Sequence, residues 1–213
     1  MNVYFISGLC ADKTIFKYIR LPEGYKKRHL EWIPPLKNES LTNYAARLAE
    51  EIDFSSPFSV IGLSLGGMLA SEISRQFSPV RTVLISSIPS YNYLPGYFKL
   101  AGSSGFYNLL PTPLFKHASV IKHFFSTESR EDKKMIADMI RQSDPSFIRW
   151  AISAVLHWKS TELENPYVHI HGTRDEVFPI RYIKPSHVIK GGDHLLVMTF
   201  YNEVNKILGE VLT

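Results

Sequence analysis

The sequence predicts an α/β protein: a mostly parallel sheet of about six strands, interrupted by an all-helical insertion over residues 91–160. Three observations predict it. Up to Ser86, short β-branched and aromatic runs alternate with segments of helical periodicity, at a spacing that suits βαβ crossovers. From Tyr91 to about Lys159 there is no strand-like run, only amphipathic stretches. From Tyr167 the alternation resumes, so residues 1–213 read as one domain with the helices inserted in it.

Taken in order, Val3 to Ile6 is a β-branched and aromatic run that reads as a buried strand. The loop Ser7-Gly8-Leu9-Cys10-Ala11-Asp12 follows, and Lys13 to Ile19 suits a short helix. Arg28 to Ile33 reads as a second strand, closed by Pro34-Pro35. Leu41, Tyr44, Ala45, Leu48, Ala49 and Ile52 recur at helical spacing, with Ser40 or Thr42 available as N-cap. Phe58 to Gly62 is a strand, and a helix opens at Leu65 and runs to about Phe77, before Pro79. Arg81 to Ser86 is the next strand. Within the insertion, Tyr97–Leu110, Pro113–Phe125, Arg130–Arg141 and Pro145–Trp158 are amphipathic, with Pro145 at a favourable first-turn position. Tyr167 to Ile170 and His187 to Ile189 complete the strands, Pro179 to Ile183 is a short helix, and Leu195 to Leu212 a closing one.

Composition excludes several classes. Hydrophobic residues at 45% and charged residues at 21% place the chain among ordinary globular proteins and not among disordered ones. A single cysteine, Cys10, rules out an internal disulfide and a cysteine-rich metal site and fits a reducing compartment. No apolar run has the length of a membrane span, and Met1 to Gly8 lacks the basic start and long apolar core of a signal peptide, which predicts a cytoplasmic protein. Residues 91–160 carry nine Lys and Arg against five Asp and Glu, which accounts for the whole net charge of +4, since the rest holds fifteen of each. So diffuse a basicity reads as a solvated helical surface; a nucleic-acid partner is not expected.

The chemistry centres on Gly62-x-Ser64-x-Gly66, between a predicted strand and a predicted helix. A serine lifted on so sharp a turn sits in a strained backbone, and bulky residues two positions to either side would collide with it. The following helix aims its free N–H groups and positive dipole end at the place where an oxyanion would form. Such a serine needs a base and an acid. Of eight histidines, His194 lies in Gly191-Gly192-Asp193-His194, after the last predicted strand, where loops of a parallel sheet meet ligands. His29, His187, His169 and His171 fall on or beside strands and His117, His123 and His157 in the helical insertion, and all read as packing or surface residues. For the acid, Asp175 occupies the loop after the preceding strand, with Glu176 as the competitor. The loop Ser87-Ile88-Pro89-Ser90 offers no carboxylate, and Asp193 is too close to His194 in sequence to face its ring.

The elbow, the acid loop His171-Gly172-Thr173-Arg174-Asp175 with Pro179, Gly191-Gly192-Asp193-His194, and the order Ser64, Asp175, His194 together resemble the α/β-hydrolase family over essentially the whole chain. The first strand here matches the family's third, and Ser7-Gly8-Leu9 stands where the family often has His-Gly. The resemblance implies acyl transfer to water with Ser64 as nucleophile, His194 as base and Asp175 as acid. It also implies that the backbone N–H groups of Leu9 and Leu65 form the oxyanion hole. No cofactor or metal is called for, and Cys10 is read as a small packing residue. The aromatic and aliphatic insertion suggests a cap and a small-molecule ester or thioester with a largely apolar acyl group. A non-catalytic binding or scaffold protein on the same fold, and a C–C bond hydrolase, are the alternatives.

Overall fold

The structure, a computed structural model, describes residues 1–104 and 129–212. The segment Pro113–Phe125, the end of Tyr97–Leu110, and His117 and His123 lie outside the described residues. Six strands form one parallel sheet: β1 (Asn2–Ile6), β2 (Lys26–Leu30), β3 (Phe58–Leu63), β4 (Arg81–Ile85), β5 (Tyr167–Gly172) and β6 (His187–Ile189). Their order is β2-β1-β3-β4-β5-β6. The chain leaves β1 toward one edge and returns to build the other, so β1 and β3 are neighbours whose connections diverge. A crevice opens at their carboxyl ends.

Side chains alternate along the strands, and each face of the sheet is covered. Tyr4, Ile6, Val60 and Leu84 pack beneath α1 (Leu41–Leu48) and α2 (Leu65–Phe77). Val3, Phe5, Ile61, Leu63, Val83 and Ile85 face the other way, toward α6 (Leu196–Thr199) and α7 (Tyr201–Leu212). Between β4 and β5 the described residues form three principal helices, α3 (Gly96–Ser104), α4 (Arg130–Gln142) and α5 (Pro145–Leu156), and no strand. They do not act as one layer. Phe147, Ala151 and Ala154 of α5 join the α1/α2 side, whereas Ile136, Met139 and Ile140 of α4 join the α7 side. Asp144 caps α5, accepting from Ser146 N, and proline at the first turn has no N–H to leave unsatisfied.

Both ends of this insertion are tied to α2. The guanidinium of Arg75 donates from Nη2 to Pro89 O and to Thr161 O, each at 2.7 Å. Its Nη1 pairs with buried Glu72 at 2.8 Å, and Trp158 Nε1–H donates to the same carboxylate oxygen at 2.9 Å.

Several boundaries differ from the sequence reading. The second strand is Lys26–Leu30, not Arg28–Ile33, because its register is set by β1, and Leu30 pairs with the last residue of that strand. Beyond it, Ile33 N–H is taken by Tyr44 OH at 3.0 Å. Lys13–Ile19 is reduced to a 3-10 turn over Lys13–Phe16, capped by Asp12, and Pro179–Ile183 to one over Ile180–Tyr182. Ser40, not Thr42, caps α1. The closing helix breaks at Phe200, whose backbone leaves the helical region at φ −127°, ψ 36°.

Candidate active site

The elbow is built by close approach. A methyl group on Gly62 would collide with the Gly66 carbonyl, and one on Gly66 with the Ile6 and Ser7 carbonyls, so neither position has room for a side chain. Ser64 takes φ 53°, ψ −118°, a conformation that a non-glycine residue holds only under strain. The surroundings impose it: Ser64 N–H donates to Ile85 O at 3.0 Å, and its carbonyl accepts from Gly67 N at 2.9 Å and from Ser87 Oγ at 2.6 Å. Behind Ser87, His169 Nε2–H donates to Ser87 O at 2.9 Å. Ser64 thus stands at the N-terminus of α2, beside the loop that leaves β1. We expect Gly66→Ala to displace the Ile6–Ser7 backbone and cost about 3 kcal/mol or more, read as a lowered urea midpoint.

His194 and Asp175 come from the far side of the sheet, from the loops after β6 and β5. Gly191 turns the chain at φ 79°, and Asp193 pins the loop by accepting from Leu195 N at 3.0 Å and from Thr199 Oγ1 at 2.9 Å. His194, 7% exposed, then lies over Ser64, with Ser64 Oγ 2.9 Å from His194 Nε2. On its other side His194 Nδ1–H donates to Asp175 Oδ2 at 2.8 Å. A carboxylate can only accept, which places the ring proton on Nδ1 and leaves Nε2 free to receive the serine proton.

Asp175 is buried and fully engaged: Oδ1 accepts from Val177 N and Phe178 N, each at 2.9 Å. Burial opposes its ionisation, but His194, His171 and the Phe178 N–H outweigh it and hold the carboxyl below its ordinary value. Glu176, the competitor in sequence, is exposed. Leu9 and Leu65 line, with Ser64, one cavity. The loop carrying Leu9 packs directly on the serine, since a methyl on Gly8 would meet Ser64 Cβ at 3.4 Å. Ser7 closes that loop through its hydroxyl, which donates to Ala11 O at 2.8 Å. Cys10 takes φ 61° and lines a different cavity, walled by Trp32 and Phe147.

The cavity at Ser64 has a volume of about 150 Å³ and is walled almost wholly by apolar groups, among them Met68, Phe98, Ala151, Ile152, Val155 and Phe178. Among the described residues no cluster of three or more His, Cys, Asp or Glu side chains is disposed to hold a metal ion. None of their helices is long and apolar enough to cross a membrane. His157 is exposed and bonds within its own helix turn; His29 and His187 are half-buried on strands away from the serine. The residues that sequence reading passed over are His169, His171 and Ser87. The first two are spaced two apart on β5 and so share one face of the sheet, the only signal available in sequence.

The buried histidines make stability depend on pH. Burial pushes His169 down to about 3 from an ordinary 6.5, and His171 is lowered by the same cause. Below pH 6.5 the unfolded chain takes up protons that the folded one refuses, so stability falls with acidification toward pH 3. The expected slope is about 1.4 kcal/mol per pH unit for each such proton. Asp175 adds its own loss below the ordinary carboxylate range. Urea unfolding at pH 7.5, 6 and 5 measures this; stability unchanged from 7.5 to 5 would contradict neutral burial.

No protein-family model and no curated protein sequence matches the chain. Solved structures do. The chain is similar to an enol-lactonase from Burkholderia xenovorans at 12% identity and TM-score 0.75, covering 99% of this chain and 90% of that one. It is similar to a lipase-esterase related protein from Clostridium acetobutylicum at 15% identity and TM-score 0.70, covering 97% and 92%. A thermophilic esterase from Thermogutta terrifontis matches at 18% identity and TM-score 0.68, covering 100% and 89%. At such identities the likeness speaks for the fold.

Proposed function

We propose that this chain, which has the α/β-hydrolase fold, is a serine hydrolase acting on esters or thioesters of small to medium apolar acyl groups. One observation carries the reading: the hydrogen-bonded line Ser64–His194–Asp175, with its serine held in strained backbone at a helix N-terminus. A binding role would need none of that strain. Ser64 Oγ attacks the substrate carbonyl while His194 Nε2 takes its proton, and the Leu9 and Leu65 N–H groups hold the oxyanion. The tetrahedral adduct collapses as His194 returns the proton to the leaving oxygen or sulfur. Water, deprotonated by His194, then releases the acid and regenerates the serine. Asp175 keeps its charge and stabilises the imidazolium in both halves.

Of the helices between β4 and β5, α3 and α5 serve as a cap, α5 roofing the acyl cavity through Ala151, Ile152 and Val155 and α3 adding Phe98. An apolar cavity of this volume accommodates about six carbons, the size of a benzene ring. Across p-nitrophenyl esters from acetate to decanoate, kcat/KM should therefore rise about fourfold per methylene, peak at about four to six carbons and then fall. Ser64→Ala and His194→Ala provide the blanks. A flat or steadily rising series would mean that this cavity does not receive the acyl chain, and no turnover of any ester would favour the binding-protein alternative.

A further inference from the structure

Beside the acid lies a second histidine that the reaction scheme leaves idle. The His171 side chain is wholly buried, and its Nε2 lies 2.8 Å from Phe178 O and 3.3 Å from Asp175 Oδ2. Both neighbours are acceptors only, so Nε2 must carry the proton. On the opposite side of the ring Nδ1 is buried and, among the described residues, has no hydrogen-bond partner. A proton there would be an unsatisfied buried donor, so the geometry keeps the ring neutral. His171 therefore presents the positive end of an N–H to the carboxylate without adding a charge that would compete with the His194 imidazolium.

We propose that His171 is a positioning residue for Asp175. It ties the acid loop at Phe178 O and turns Oδ2 toward His194, a role that rests on the serine-hydrolase reading above. Phe178 is the connecting piece, since its N–H donates to Asp175 Oδ1 while its carbonyl accepts from His171. Loss of the ring would free the 175–178 turn to rotate the carboxylate away from His194. The signature is therefore a loss in kcat that vanishes once Asp175 is replaced.

The test is the rate at which a fluorophosphonate labels Ser64, measured beside kcat and KM on a p-nitrophenyl ester, for wild type, H171L, H171Q and D175N/H171L. A glutamine amide can place its N–H where Nε2 stands. H171L should label about 10- to 100-fold more slowly, and H171Q should stay within about threefold of wild type. In the D175N background H171L should cost nothing further, because its effect runs through the acid. H171L labelling at the wild-type rate, or the same loss with and without Asp175, would overturn the proposal. Thermal melts accompany each variant; should H171L not fold, H171M takes its place with the same two outcomes. A folded wild-type protein that takes no label at all would remove the hydrolase reading itself, and this proposal with it, so the two failures are told apart.

Discussion

Ser64→Ala should remove ester hydrolysis, lowering kcat by about 10⁶-fold while the protein still folds. Only Oγ is deleted, and the backbone bonds that hold the elbow, from Ile85 O, Gly67 N and Ser87 Oγ, do not involve it. His194→Ala should cost a comparable factor, and the two losses should not add, since attack and proton transfer are one event. Ser64→Gly separates chemistry from stability. It is equally inactive, yet it relieves the strain at φ 53° and should raise the unfolding free energy by about 1 kcal/mol. A chain stabilised by losing this side chain is one whose serine is held there for a reason other than folding. Retention of more than about 1% of kcat in Ser64→Ala would place the nucleophile elsewhere.

Asp175→Asn is expected to be the second largest loss, about 10⁴-fold in kcat, with a stability cost besides. The cause lies in what faces the carboxylate. Val177 N–H and Phe178 N–H point at Oδ1; His194 Nδ1–H points at Oδ2, and His171 Nε2 lies 3.3 Å from it. An amide must put an NH₂ at one of these two oxygens, where it meets donors in either orientation. If the NH₂ faces His194, the imidazole must flip its tautomer, and Nε2 then carries a proton and cannot accept one from Ser64. If it faces the turn, the part-buried Val177 N–H and the buried Phe178 N–H lose their acceptor, the latter at about 1–3 kcal/mol. Stopped-flow turnover and urea unfolding measure the two costs. Full activity in Asp175→Asn would assign the acid to another group.

Much of this was legible before the structure, for reasons that differ by residue. Gly62 and Gly66 report the elbow because neither has room for a side chain, the first against the Gly66 carbonyl and the second against the end of β1, and that leaves a mark in sequence. β3 and β4 after Arg81 are largely apolar because both faces are covered, so their type could hardly be mistaken. Asp175 and Glu176 could not be separated by composition. What separates them is the turn at Val177 and Phe178, whose N–H groups receive one carboxylate and leave the other outside. The second strand begins at Lys26, two residues before the Arg28 that its own residues suggest, since its limits belong to β1. His171 was passed over because its partners, Asp175 and Phe178, reach it only through the turn that follows β5. The division of the inserted helices between two faces of the sheet is likewise a property of long-range packing and leaves no periodicity of its own.

The most direct measurement is fluorophosphonate labelling of the intact protein, followed by mass mapping of the modified peptide. The reagent reacts with a serine whose proton can be taken by a neighbouring base, and it requires no knowledge of the substrate. The expected result is one adduct per chain, on Ser64, absent from Ser64→Ala and strongly slowed in His194→Ala. A folded protein that takes up no label, or takes it up on another residue, would contradict a hydrolase built on Ser64.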